Sequence, residues 1–210
     1  MGLEVNCPSC GARVVFRSTG SVVAICAYCK STLVRHDLDL ENVGRMADLK
    51  ADGSPLQLGS TGEYAAVHFT VVGRIQYRFD AGLWNEWHLL FDDMRDGWLG
   101  EARGNYAVSF RTAVNEALPA FGALKVGEPV VLGGHGYEVI DIERARCIAG
   151  EGELPFRVEA GYDAPVADLH GVGRRFATLD YSETPPLLFV GQYVEFDALG
   201  LTGLRVLDGW

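Results

Sequence analysis

The residue types best suited to chemistry stand near the start of the chain. Cys7-Pro-Ser-Cys10 is followed, after 15 intervening residues, by Cys26-Ala-Tyr-Cys29. Two residues between thiolates let the backbone curl so that both sulfurs face one ion. Two such turns supply the four soft ligands of a tetrahedral zinc site. Four thiolates leave no open position for water, so the expected ion is structural Zn2+ held by Cys7, Cys10, Cys26 and Cys29. A pair of disulfides, a redox dithiol and a rubredoxin-type iron site would use the same residues. Disulfides need an oxidising compartment, and MGLEVNCPSC lacks the basic flank and apolar core of a secretion signal. A redox dithiol belongs with a βαβ pattern, which this stretch lacks. Iron fits four thiolates as zinc does, and zinc is the commoner guest. The fifth cysteine, Cys147 in Glu143-Arg144-Ala145-Arg146-Cys147-Ile148, reads as a small buried hydrophobe.

The second cluster is Trp84-Asn85-Glu86-Trp87-His88. On a strand Trp84, Glu86 and His88 share one face, while Trp87, Leu89 and Phe91 share the other. The second set reads as core. The first is either a hydrogen-bonded surface cluster or an acid–base pair, Glu86 with His88, beside an aromatic platform. Trp84, Glu86, His88 and Trp98 together form a candidate binding surface, since aromatic anchors dominate many interfaces. No GxxxxGK[ST], GxSxG or HExxH occurs, and the five His are scattered. Gly133-Gly134-His135-Gly136 reads as a hairpin turn rather than a phosphate cradle. Asp92, Asp93 and Asp96 do not match calcium-loop spacing and read as a polar turn. No residue is assigned as catalytic.

Elements must position these groups. Arg13–Arg17 and Val22–Ile25 are β-prone runs around the turn residues Ser18–Ser21, which predicts a hairpin carrying one Cys pair at each end, with Ser31–Arg35 as a third strand. A unit this small needs the metal for stability. Residues 36–53 have scattered acids, among them Asp37, Asp39 and Glu41, and no long apolar face; they read as a linker, with a weak helix over Leu38–Leu49. From Ser54 the pattern is mostly period-two, as in Val67-His68-Phe69-Thr70-Val71. Gly and Pro punctuate it, at Gly150-Glu151-Gly152 among other places; Thr112–Leu118 is the one helix candidate of this part. Leu56-Gln57-Leu58-Gly59 is echoed 68 residues later by Leu124-Lys125-Val126-Gly127, at the same distance from a following β run. The expected fold is mainly β: a zinc ribbon (1–35), a linker (36–53), two related β-barrel or sandwich-like modules (54–112 and 121–200), and a C-terminal tail (201–210). The terminal Trp210 would dock on the body or on a partner.

The chain has 210 residues, 48% hydrophobic and 22% charged, near the globular average. It carries 18 Lys+Arg against 28 Asp+Glu, a net −10. Residues 1–35 hold four cationic residues against Glu4, or +3, leaving −13 for the rest. Nucleic-acid affinity comes largely from neutralising phosphates with cations, so that partner class is disfavoured. No apolar run approaches the roughly 18 residues of a membrane span, so no direct insertion is expected, and a cytoplasmic location follows.

Ser54–Gly59, Phe69–Arg74, Trp84–Trp87 and Gly97-Trp98-Leu99, with Gly152–Pro155 and Phe176–Tyr181, resemble the bacterial DUF4178 family over nearly the whole chain after the linker. Members often carry a similar N-terminal arrangement of CxxC pairs. The family's usual genomic surroundings imply a multi-protein envelope-stress or peptide- or polyamine-modification system. The resemblance implies no reaction. The closed metal site and the lack of an assembled catalytic constellation point to a non-enzymatic, zinc-containing adaptor that binds a protein partner, membrane-associated proteins included. An enzyme or enzyme subunit of such a pathway, resting on Glu86 with His88, is the alternative; a nucleic-acid-binding ribbon comes third.

Overall fold

The computed structural model describes residues 2–36, 39–113, 117–158 and 161–207. The protein is mainly β. Its first part is a ribbon of β1 (Leu3–Asn6), β2 (Arg13–Phe16), β3 (Val23–Ile25), β4 (Ser31–His36) and β5 (Asp39–Arg45). The predicted hairpin across Ser18–Ser21 is not made. Instead β1 pairs with β2 and β3 pairs with β4, so each CxxC pair forms the tip of its own hairpin. The reason is local. Cys7 N–H donates to the Ala12 carbonyl (2.8 Å) and Gly11 N–H to the Cys7 carbonyl (2.9 Å); Cys26 N–H donates to Ser31 and Lys30 N–H to Cys26, both at 2.9 Å. The two turns are closed alike, and Gly11 (φ 76°) and Lys30 (φ 61°) occupy the same left-handed position.

The stretch expected as a linker is not one throughout. Residues 39–45 form β5 on the free edge of β4, and no helix forms there. A polar, mostly exposed run makes a poor helix face but satisfies its backbone against an open strand edge.

The body comprises β6 (Thr61–Tyr64), β7 (Val67–Phe79), β8 (Gly82–Phe91), β9 (Asp96–Ala102), β10 (Asn105–Thr112), β11 (Pro129–Leu132), β12 (His135–Leu154), β13 (Asp163–Gly171), β14 (Arg175–Asp180) and β15 (Leu187–Val194). Thr112 ends β10, and residues 114–116 of the helix candidate lie outside the described residues, as does Trp210. The strands β7 to β10 run as one antiparallel meander, and β12 to β15 as a second. Two further antiparallel pairings join them, β10 with β15 and β7 with β12, and close an eight-stranded ring.

Ring closure depends on glycine. Gly150-Glu151-Gly152, expected as a turn, lies inside β12, where Gly152 faces Gly73 of β7. A Cβ on Gly73 would sit 1.9 Å from the Glu153 carbonyl oxygen, and one on Gly152 (φ 72°) 2.2 Å from that of Val72. Only residues without a side chain let the two backbones meet this closely.

Alternate residues of each strand separate two environments. Trp87, Leu89, Phe91, Leu99 and Val108 point out of the ring and are buried under Leu56 and Leu199. Ala167, Leu169, Ala177 and Leu179 point out on the other side and are buried with Leu124 and Leu132. The ribbon docks through β3, which pairs with Gly152–Leu154, and Val23, Ile25 and Val34 share a core with Ile75, Tyr77 and Leu154. Several features recur at the 68-residue interval. Gly59 and Gly127 each donate 2.8 Å bonds, to Val71 and Val139, and left-handed pairs Ala65-Ala66 and Gly133-Gly134 turn the following hairpins.

Candidate metal centre and barrel cavity

The two ribbon turns bring Cys7, Cys10, Cys26 and Cys29 together, with all four Sγ atoms within 4.8 Å of one another. Cys7 and Cys29 Sγ are 3.7 Å apart, as are those of Cys10 and Cys26. A tetrahedron with metal–sulfur bonds of about 2.3 Å has edges of about 3.8 Å, so the sulfurs fit a single four-coordinate ion. These distances are far beyond a disulfide bond of about 2.05 Å. The Ser31 hydroxyl lies 3.2 Å from Cys29 Sγ, and its hydrogen bonding lowers that thiol's pKa.

The ribbon is clipped to the ring at the end of β2 opposite its cysteine turn. The Glu153 carboxylate, 2% exposed, accepts from the backbone N–H groups of Arg17 (2.6 Å) and Ser18 (3.0 Å) and from the Arg17 guanidinium (3.3 Å). Asp96 accepts from the Ser18 hydroxyl at 2.8 Å and lies 2.9 Å from His88 Nε2. It opens β9, after the β8–β9 connection that holds Asp92 and Asp93, where Asp93 accepts from Arg95; the three carboxylates do not share a partner.

Of the four residues expected as a binding surface, three line a concave space and one is buried. Trp84, Glu86 and Trp98 line a partly open cavity in the ring, of about 540 Å3, to which all eight strands contribute residues. His88 shares their face of β8, as expected, but is fully buried, with its ring 5.2 Å from that of Trp98. Its Nδ1 lies 2.8 Å from the Glu153 carbonyl oxygen and its Nε2 faces Asp96. Both ring nitrogens are thus engaged away from Glu86, and the acid–base pair is not assembled.

Sequence reasoning missed the other carboxylates of the cavity. Asp168 of β13 and Asp180 of β14 face the same space as Glu86. Burial, the charge of Asp168 and that of Asp180 push Glu86 up to about 8, against the Trp84 indole, which lowers it. Burial raises Asp168 to about 6, although the Thr178 hydroxyl donates to it at 2.6 Å. Burial also raises Asp180. These residues sit at the polar positions of alternating strands, which read as solvent-facing until the ring is known to close. Cys147 is fully buried and its thiol is pushed up to about 12 by burial, in keeping with a packing role.

Among the described residues no helix is long and apolar enough to cross a membrane. No curated protein and no solved structure matches the chain. The model of one family does match, over residues 57–196, which span the β6–β15 body and its cavity. The ring with its cavity-facing carboxylates is therefore the family's domain, and the chain belongs to the DUF4178 family of domains of unknown function.

Proposed function

We propose that the protein is a non-enzymatic binding protein, a small-ligand barrel coupled to a zinc-stapled ribbon that serves as its adaptor toward a protein partner. The single observation that carries this reading is the ring's partly open cavity of about 540 Å3, a volume in the range of small-molecule sites. Zinc is the ion we assign to Cys7, Cys10, Cys26 and Cys29; when bound it supplies a rigid crosslink, and four thiolates leave it no position for substrate. Because Glu153 and β3 tie the ribbon to β12, occupancy of the barrel has a short path to the ribbon surface. The features shared at the 68-residue interval support reading the two halves as copies of one unit. An enzymatic reading would draw on Glu86, held protonated near neutral pH, but the base it was paired with, His88, is bonded elsewhere.

The test uses the full chain with its metal and the neutral dye Nile red, whose emission rises in apolar surroundings and whose uptake quenches Trp84 and Trp98. Gly100 lines the cavity, and a Cβ there would lie 3.5 Å from both Glu86 carboxylate oxygens, an ordinary contact. Gly100→Trp therefore fills the space without a backbone clash. Saturable dye binding that this substitution abolishes is expected. Dye binding unchanged by a filled cavity would remove the barrel reading. Elemental analysis should return one zinc per chain; iron or no metal would overturn that assignment.

A further inference from the structure

We infer that the barrel interior is a site for a small organic cation, an ammonium group carrying an apolar or aromatic body. This rests on the cavity being a binding site, as proposed above, and adds the class of molecule it takes.

Charge is the first support. Glu86, Asp168 and Asp180 face the cavity from three strands, and among the described residues none of them forms an ion pair. The basic residue in the wall, Arg103, lies 4.8 Å from the centre of the Phe79 ring instead. Half-buried and facing one cavity, these carboxylates have no cationic neighbour in the described residues, and a cationic ligand would supply one.

A second, independent observation concerns Ser109 of β10. It is 6% exposed and lines the same cavity, and its hydroxyl has no hydrogen-bond partner among the described residues. This hydroxyl is open to the cavity and free to bond a ligand there. The third is the wall between the polar groups. Tyr77 stacks on Trp84 with ring centres 5.0 Å apart, and Trp98 lies 5.6 Å from Phe156. Aromatic faces attract cations and also cover an apolar body. An anion would meet six acidic residues in the lining, with Glu101, Asp141 and Glu143 beside the three named. A neutral apolar molecule would leave Ser109 and the carboxylates unpaired. A hard metal ion needs several oxygens at one point and gains nothing from aromatic walls.

The experiment is calorimetric titration of the metal-loaded full chain with three probes of one shape: 2-phenylethylammonium, 2-phenylethanol and 3-phenylpropanoate. We expect the ammonium to bind at least about tenfold tighter than the alcohol, roughly one charge-assisted hydrogen bond, and the carboxylate not to bind. The double variant Glu86→Gln, Asp168→Asn should lose that preference while still taking up Nile red. The wild-type preference decides the question even if the double variant does not fold. Equal binding of ammonium and alcohol, or a preference that survives in the folded double variant, overturns the cation assignment alone. Failure of Nile red and of all three probes to bind overturns the cavity reading and the cation with it.

Discussion

Glu86 should make the protein lose stability as the solution becomes alkaline. Burial beside Asp168 and Asp180 raises its folded-state pKa from 4.5 to about 8, and the Trp84 indole offsets only part of this. Between those values the folded chain holds a proton that the unfolded chain has released. Stability on this account is fullest below about pH 4.5 and falls as the pH rises to 8, after which it levels off. One proton corresponds to about 1.4 kcal/mol per pH unit. Asp168, raised to about 6 by the same cause, acts mostly at lower pH. From pH 6 to pH 9 the loss due to Glu86 is therefore about 2.5 kcal/mol. The assay is urea unfolding at both pH values for wild type and Glu86→Gln, at fixed free zinc. Glutamine keeps the shape and cannot ionise. Thiol and metal titrations are common to both proteins and cancel in the comparison, so the variant should lose about 2.5 kcal/mol less than wild type over this range. Parallel pH dependences for the two proteins would refute the claim that this carboxyl is held neutral in the ring.

Other perturbations follow from the geometry. Gly73→Ala forces a methyl to within 1.9 Å of the Glu153 carbonyl and should open the β7–β12 seam, costing more than about 3 kcal/mol in urea unfolding; amide exchange would place the loss at Gly150–Gly152. Glu153→Ala strands the Arg17 and Ser18 N–H groups and should cost roughly 2–4 kcal/mol, with proteolysis now cutting between ribbon and ring. The Ala65-Ala66 turn has φ of 50° and 61° where the matching hairpin has Gly133-Gly134. Ala65→Asn with Ala66→Gly should therefore stabilise by about 1–2 kcal/mol, read as a higher midpoint at unchanged slope. Removing the metal with a strong chelator should lower the melting temperature and raise proteolysis of the ribbon first; an unchanged melt would contradict a stabilising role for the four thiolates.

What could be read before the structure was known shares one property: it is local. The CxxC spacing sets the sulfur geometry within two short turns, so the four-cysteine cluster was legible from Cys7, Cys10, Cys26 and Cys29 alone. The alternation in Val67–Val71 and Trp87–Phe91 identified strands, and Trp87, Leu89 and Phe91 lie in the core where that pattern put them. Turn residues were a weaker guide. Gly150–Gly152 signalled a turn, yet these glycines serve the close crossing of two strands, a demand made by a segment nearly 80 residues away. The run 36–53 carried no strong signal because β5 is recruited by the open edge of β4 rather than by its own residues.

From sequence alone came the four-cysteine cluster, the β class and the faces of several strands. Tertiary structure alone decided which face is inside. A period-two pattern says that Glu86 and Trp87 point opposite ways, and hydrophobicity then sends Trp87 to a core and Glu86 toward water. The pairings β7–β12 and β10–β15 close the ring on the polar side, while Leu56, Leu199 and β11 cover the apolar side from outside. Glu86, Asp168 and Asp180 come together because ring closure joins strands far apart in sequence, and side-chain alternation carries no record of that closure.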